Sequence, residues 1–200
     1  MPNFTDITGL AGLAVATAAS LVLLPGIARL PGLHQAVLQS AVFALMLIPF
    51  GDMPLAAYVR GVTGDLSITT LVMICCALSR HWFGCGTADT MTRQVLMLTI
   101  ALAALALYPM ALGVSAFDPY RPGYGEPLFV AALLLVALAA WIRKYHLIAS
   151  CIALAILAWA AGWYESDNLW DYLLDPWIAI YALFVIARHG AGMFMQRGSL

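Results

Sequence analysis

Apolar positions fall in seven long blocks along the chain, at 8–28, 34–50, 66–83, 93–114, 127–142, 146–163 and 173–188. Within each block they are continuous and do not alternate with polar positions. That pattern predicts helices and excludes the period of two that a membrane β-barrel requires. A bilayer core about 30 Å thick takes about 20 helical residues. The third and seventh blocks are short for that span, as expected of helices in locally thinned lipid or leaning on partner helices. The first and sixth carry small residues (Gly12, Ala16, Ser20; Ala149, Ala153, Ala160), which let helix backbones approach closely. Pro109, near one end of the fourth block, predicts a kink. The expected fold is an all-α membrane protein. It is a bundle of about seven transmembrane helices forming one polytopic domain over residues 1–200.

Composition supports the bilayer as solvent. The chain is 64% hydrophobic and 10% charged, with a mean hydropathy of +0.92. A soluble domain carries about 25% charged residues. The net charge of −1 and the scatter of the basic residues exclude a nucleic-acid surface and a polybasic lipid patch. No Lys or Arg precedes the first block in "MPNFTDITGL", so that block is expected to be a retained helix and not a cleaved signal.

Charge then orients the bundle. The connections fall into two alternating sets. One holds Arg29, Arg80, Arg93, Arg143, Lys144, Arg188 and Arg197 with a single acid, Asp89. The other holds Arg60 and Arg121 with Asp6, Asp52, Asp65, Asp118, Glu126, Glu165, Asp167, Asp171 and Asp175. Basic residues concentrate on the cytoplasmic side of membrane proteins. The expected topology therefore has the amino terminus outside, the carboxyl terminus in the cytoplasm and the acidic set facing outward. The preference for Arg over Lys and the compact size point to a bacterial inner (cytoplasmic) membrane.

The outward loops hold the candidate site: Arg60, Asp65, Asp118, Arg121, Glu126, Glu165, Asp167 and Asp171. Guanidinium groups bind phosphate and carboxylate bidentately. Two arginines among carboxylates would suit a phosphorylated lipid headgroup, a divalent cation or acid–base work. A structural reading stands beside this one. Asp175–Pro176 has the form of an N-cap followed by Pro at the first helical position. Asp65, with Ser67 beside it, is placed to cap the third block. Asp167 and Asp171 are placed to cap a short interfacial helix. The tyrosines and tryptophans of these loops read as an interfacial belt. Capping accounts well for Asp65 and Asp175, and less well for two arginines on a face otherwise cleared of positive charge.

The other face carries His34, His81, His146 and His189, and the cytoplasmic half carries Cys75, Cys76, Cys85 and Cys151. His81 and Cys85 stand four apart, the spacing of one helical face. The chain has no CxxC and no HxxxH, and a metal or haem site is the weaker reading against amphipathic His and apolar Cys at an interface. No metal and no cofactor are expected. The blocks hold no Asp, Glu, Lys or Arg at mid-depth, which argues against a proton-coupled transporter. GxSxG, HExxH and GxxxxGK[ST] are absent, and no His is expected outside to activate Ser67 or Ser115.

The stretch "RGVTGDLSITTL", residues 60–71, resembles the Gly-x-x-x-Asp-Leu-Ser sequence that follows the second helix in membrane anchors of envelope phosphotransferases of the alkaline-phosphatase superfamily. The resemblance implies an envelope-lipid setting. Two functions follow from the whole reading. One is an accessory or subunit protein of the inner membrane, whose outward acidic and arginine surface engages a membrane-protein partner or a lipid headgroup. The other is a small membrane enzyme or carrier acting on a phosphorylated envelope lipid or solute. The second requires Arg60 and Arg121 to converge on a pocket.

Overall fold

The computed structural model of the chain describes residues 4–84, 90–114 and 117–197. It is all-α. Nine α-helices follow one another among the described residues, with one two-residue-strand hairpin between the second and third. They are α1 (Phe4–Val22), α2 (Gly32–Leu47), α3 (Leu55–Thr63), α4 (Ile68–Phe83), α5 (Thr90–Pro109), α6 (Pro127–Ile142), α7 (His146–Ala160), α8 (Leu169–Leu173) and α9 (Pro176–Arg197).

The seven apolar blocks correspond to α1, α2, α4, α5, α6, α7 and α9. Local chemistry shortens them. Pro31 precedes α2, and the chain leaves it extended at Ile48, before Pro49. Gly84, left-handed at φ 65°, ends α4. Pro127 opens α6 at a position whose N–H needs no partner. α5 runs to Pro109 and continues as a wider turn, Met110–Val114, with Gly113 at φ 87°, so the expected break falls at the end of the helix.

Among the described residues one helix, Thr90–Gly113, is long and apolar enough to cross a membrane. Ile7–Val22, Gly32–Leu47, Ile68–Phe83, Pro127–Ile142 and His146–Ala160 are shorter apolar helices. At 1.5 Å per residue, a helix of 16 residues such as α2 covers about 24 Å. That falls short of a core of about 30 Å.

Packing puts small side chains inside. Ala101, Ala104, Ala137, Ala140, Ala149, Ala179 and Ala182 are buried where α5, α6, α7 and α9 meet. Leu98, Leu102, Leu105, Leu134, Leu135, Leu138, Ile180 and Phe184 point outward from the same helices and are exposed. α1 packs on α2 and α3 through Leu13, Ala14, Met46 and Ala56. Ile68, Ala155, Tyr164, Leu169 and Tyr172 form a second core beneath the 163–176 segment.

Two helices lie outside the seven blocks. α3 occupies the loop that precedes α4, and only Ala56 of its residues is buried. α8 is the short interfacial helix expected near Asp171, but its cap is Asn168, whose side chain accepts the Trp170 N–H, and not Asp167.

Candidate functional site

The N-terminal part of α1 and the segments 60–67, 117–126 and 163–176 meet at one end of the bundle. Thr8 of α1 donates to the Trp163 carbonyl. The Tyr164 hydroxyl donates to the Leu66 carbonyl at 2.7 Å. Trp170 Nε1 donates to the Pro119 carbonyl at 2.9 Å, and Asn168 Nδ2 to the Tyr120 carbonyl at 3.0 Å. These are the connections that the charge pattern assigns to the outward set.

Asp175 holds this end together. Its Oδ1 accepts the N–H groups of Trp177 and Ile178 at 2.8 and 2.9 Å, which caps α9. Its Oδ2 accepts the Ser67 N–H at 2.8 Å and the Ser67 hydroxyl at 2.7 Å, together with the Thr70 hydroxyl. Ser67, in turn, is the N-cap of α4 through the Thr70 N–H. Asp175 is 3% exposed and Ser67 is 0% exposed. One buried carboxylate therefore serves two helix starts and is satisfied by five neutral donors.

Asp65 does not cap α4. It forms a bidentate pair with Arg60, Nε to Oδ1 at 2.7 Å and Nη2 to Oδ2 at 2.8 Å. Glu165 approaches the same guanidinium at 3.7 Å from its exposed position. The pair lies against α1 at Gly9, where an added Cβ would come within 2.5 Å of Asp65 Oδ1. Gly9 thus admits an ion pair between helix backbone and loop.

Asp118 accepts the Tyr120 N–H at 2.9 Å and shapes the turn into Arg121–Gly123. The Tyr120 hydroxyl donates to Asp171 Oδ1 at 2.6 Å, and the Ser166 hydroxyl donates to Asp171 Oδ2. Gly123 is pressed onto fully buried Asn168, and an added Cβ would stand 1.9 Å from Asn168 Oδ1. Arg121, Glu126 and Asp167 are exposed. Glu126 starts α6 without a side-chain cap, and Asp167 contributes its carbonyl to Trp159 Nε1 at 2.7 Å.

Between these segments lies a cavity of about 510 Å³. Four carboxylates line it: Asp65, Glu165, Asp171 and Asp175. So do the phenols of Tyr108, Tyr120 and Tyr164, with Thr63 and Ser166 between them. Leu107, Ala111, Leu174 and Pro176 complete the wall. Neither Arg60 nor Arg121 is among the lining residues. Among the described residues the hydroxyl of half-buried Tyr108 is shielded and has no hydrogen-bond partner. Burial, the hydrogen bond to Asp171 and that carboxylate's charge raise the Tyr120 phenol well above its ordinary range. Burial and the charge of Asp65 raise Tyr164 likewise, against a smaller opposing effect of Arg60. Both phenols remain neutral donors at physiological pH.

Sequence reasoning placed Asp65, Glu165 and Asp171 in this region but treated its tyrosines as belt residues. Tyr108 was hidden because it lies inside an apolar block. Its position one residue before Pro109, where the helix opens, was the available signal.

The opposite end joins the basic connections. Gln35 Nε2 donates to the carbonyls of Ile27, Ala28 and Leu30, and its Oε1 pairs with His81 Nε2 at 2.7 Å. Gln94 meets His189 at 3.2 Å, and His146 stacks edge-on to Trp141. Cys85, the expected companion of His81, lies outside the described residues. Among the described residues no group of three or more His, Cys, Asp and Glu is placed to hold a metal ion.

No protein-family model, curated protein or solved structure matches the chain. The resemblance of residues 60–71 to envelope phosphotransferase anchors remains local. In this structure the stretch forms the end of α3, the Arg60–Asp65 pair and the capped start of α4.

Proposed function

We propose that the chain is a multi-pass protein of a bacterial inner membrane, with its amino end outside and its carboxyl end in the cytoplasm. It acts as an accessory or binding subunit through the acidic cavity at its outward end. The inside-out packing supports embedding in lipid. Alanines fill the interfaces, and a broad skirt of Leu, Ile and Phe faces outward. A soluble monomer rarely exposes contiguous apolar patches above a few hundred Å². The seven blocks cross together in this reading. Thr90–Gly113 spans the full core and the shorter helices sit in thinned lipid around it.

The observation that carries the binding role is the half-open cavity of about 510 Å³ bounded by hydrogen-bonded connections at the acid-rich end. It falls in the range of about 300–1,000 Å³ typical of small-ligand sites. Its walls are held by Asp175, the Arg60–Asp65 pair and the Tyr120–Asp171 bond, so it is preformed. A phosphate would meet carboxylates there with no arginine on the wall, which disfavours the phosphorylated-lipid enzyme. The described residues place no His beside the cavity to serve as base.

A cysteine on the cavity wall tests the reading. Thr63→Cys, in a background with the native cysteines replaced by serine, should react with a membrane-impermeant maleimide in intact cells. Reaction only after permeabilisation would refute an outward-facing cavity.

A further inference from the structure

We infer that the open groove between α1, α2 and α4 is a dimer interface, filled by a second copy of this chain in the plane of the membrane. This rests on the lipid-embedded reading above and on no property of the acidic cavity.

Gln39 stands at the middle of α2, with Ser40 beside it. One turn earlier, Gln35 is 4% exposed and fully used: its Nε2 reaches three backbone carbonyls and its Oε1 meets His81. Thr17 and Thr99, also inside apolar helices, donate to the carbonyls of Leu13 and Val95 in their own helices. Gln39 is half-buried and Ser40 is exposed, and among the described residues neither side chain makes a hydrogen bond. Lipid tails offer neither donor nor acceptor, so an amide left open at this depth is costly. Within the bundle Gln39 has nothing to offset that cost.

Shape and chemistry select the occupant. The groove holds about 270 Å³ and is lined by Ala18 and Ala19 of α1, Gln39, Ser40 and Phe43 of α2 and Leu78 of α4. Ala18 and Ala19 are buried, and small side chains at such a place let another helix backbone approach closely. α2 is the open side of the groove, since Gln35 and Met46 are its only buried residues. A glutamine amide carries an acceptor oxygen and two N–H donors. Two copies related by a twofold axis present the same surface to each other. Each Gln39 amide then donates to the other and accepts from it, which satisfies both. An acyl chain fills the volume but leaves the amide open. The groove is thus complementary in hydrogen bonding to itself, and a second copy is the occupant that this complementarity selects.

The full chain, fused at its carboxyl end to a fluorescent protein, is reconstituted in phosphatidylethanolamine and phosphatidylglycerol vesicles. Copies per particle are counted by single-molecule photobleaching as protein is diluted into lipid. Two-step bleaching that persists on dilution is expected. Gln39→Leu should weaken association about tenfold, the loss that goes with two interhelical hydrogen bonds. It breaks no hydrogen bond within the chain, so its insertion into vesicles should match that of the parent. A second measurement locates the contact. Ser40→Cys, in a background with the native cysteines replaced by serine, should cross-link to itself under copper phenanthroline. Leu134→Cys, exposed on α6, should not. Single-step bleaching at every dilution, a dimer indifferent to Gln39→Leu, or Ser40→Cys cross-linking no faster than Leu134→Cys would overturn the inference. Flotation of the vesicles after a carbonate wash separates the two readings. A chain that floats but stays monomeric rejects the dimer alone, and a chain that does not float rejects the membrane reading and the dimer with it.

Discussion

Asp175 and Ser67, 108 positions apart, form a single joint between two helix starts. Asp175 caps α9 with one oxygen and holds the capping residue of α4 with the other. Removing the carboxylate strands the Ser67 N–H and two α9 amides in a buried site. Loss of a cap costs about 0.5–2 kcal/mol, and buried unsatisfied donors add about 1–3 kcal/mol. Asp175→Ala should therefore destabilise the chain by about 3 kcal/mol or more, while Ser67→Ala should cost about 1 kcal/mol. Thermal unfolding in detergent, followed by circular dichroism, measures both. Equal effects would contradict the shared cap.

Three glycines give a steric test. Gly123 has no room for a Cβ against Asn168, and Gly9 has little against Asp65. Gly61, within α3, has nothing within 4 Å of that position. Gly123→Ala should behave as an overpacked core substitution costing about 1–3 kcal/mol. Gly9→Ala should do the same by displacing the ion pair. Gly61→Ala should stabilise by up to about 1 kcal/mol, because Ala is the better helix former. The ranking of melting temperatures checks the three together.

The two arginines of the acidic end should part company. Arg60 is bidentate to Asp65 and mostly shielded, with side chains 15% and 19% exposed. A double-mutant cycle with Arg60→Gln and Asp65→Asn should show coupling above the 0–1 kcal/mol of typical exposed pairs. The weaker contact of Arg60 with exposed Glu165 should show little. Arg121→Ala, at an exposed turn, should leave stability within about 0.5 kcal/mol. Similar losses at both arginines would mean that Arg121 is held in a way the structure does not display.

Alkaline pH should loosen the acidic end. Tyr120 and Tyr164 have phenols raised above the ordinary value, Tyr120 through burial and Asp171, Tyr164 through burial and Asp65. The unfolded chain gives up these protons first, near the ordinary phenol pKa of about 10. Stability from these groups is therefore full below that pH and is lost as pH rises through the folded values. Denaturant midpoints should fall above about pH 10, and Tyr120→Phe with Tyr164→Phe should flatten the fall. An unchanged slope in the double variant would assign the effect elsewhere.

Much of this architecture was legible in the chain. Continuous apolar blocks gave the helices, and Asp175–Pro176 gave the start of α9, because caps and Pro at the first position are local signals. The charge split anticipated that acid-rich connections meet, since segments 60–67 and 163–176 come together through contacts such as Tyr164 to Leu66. The assignments of Asp65 and Asp167 as caps were wrong. Ser67 and Asn168 took those places because each lies directly before its helix, leaving Asp65 free to pair with Arg60 five residues back. α3 was missed because its short sequence, "LAAYVRGVT", carries no block of its own. The tyrosine-lined cavity depends on segments 108, 120 and 164 meeting in space, which no local pattern encodes.

The most direct measurement is the sidedness of the two ends. Glu126→Cys at the acidic end and Arg143→Cys at the basic end are placed singly in a background with the native cysteines replaced by serine. Each is exposed to a membrane-impermeant maleimide in intact cells. The account predicts that Glu126→Cys is labelled at once and Arg143→Cys only after permeabilisation. The reverse order would put the acidic cavity in the cytoplasm, and labelling of both in intact cells would contradict a bundle that crosses the membrane between them.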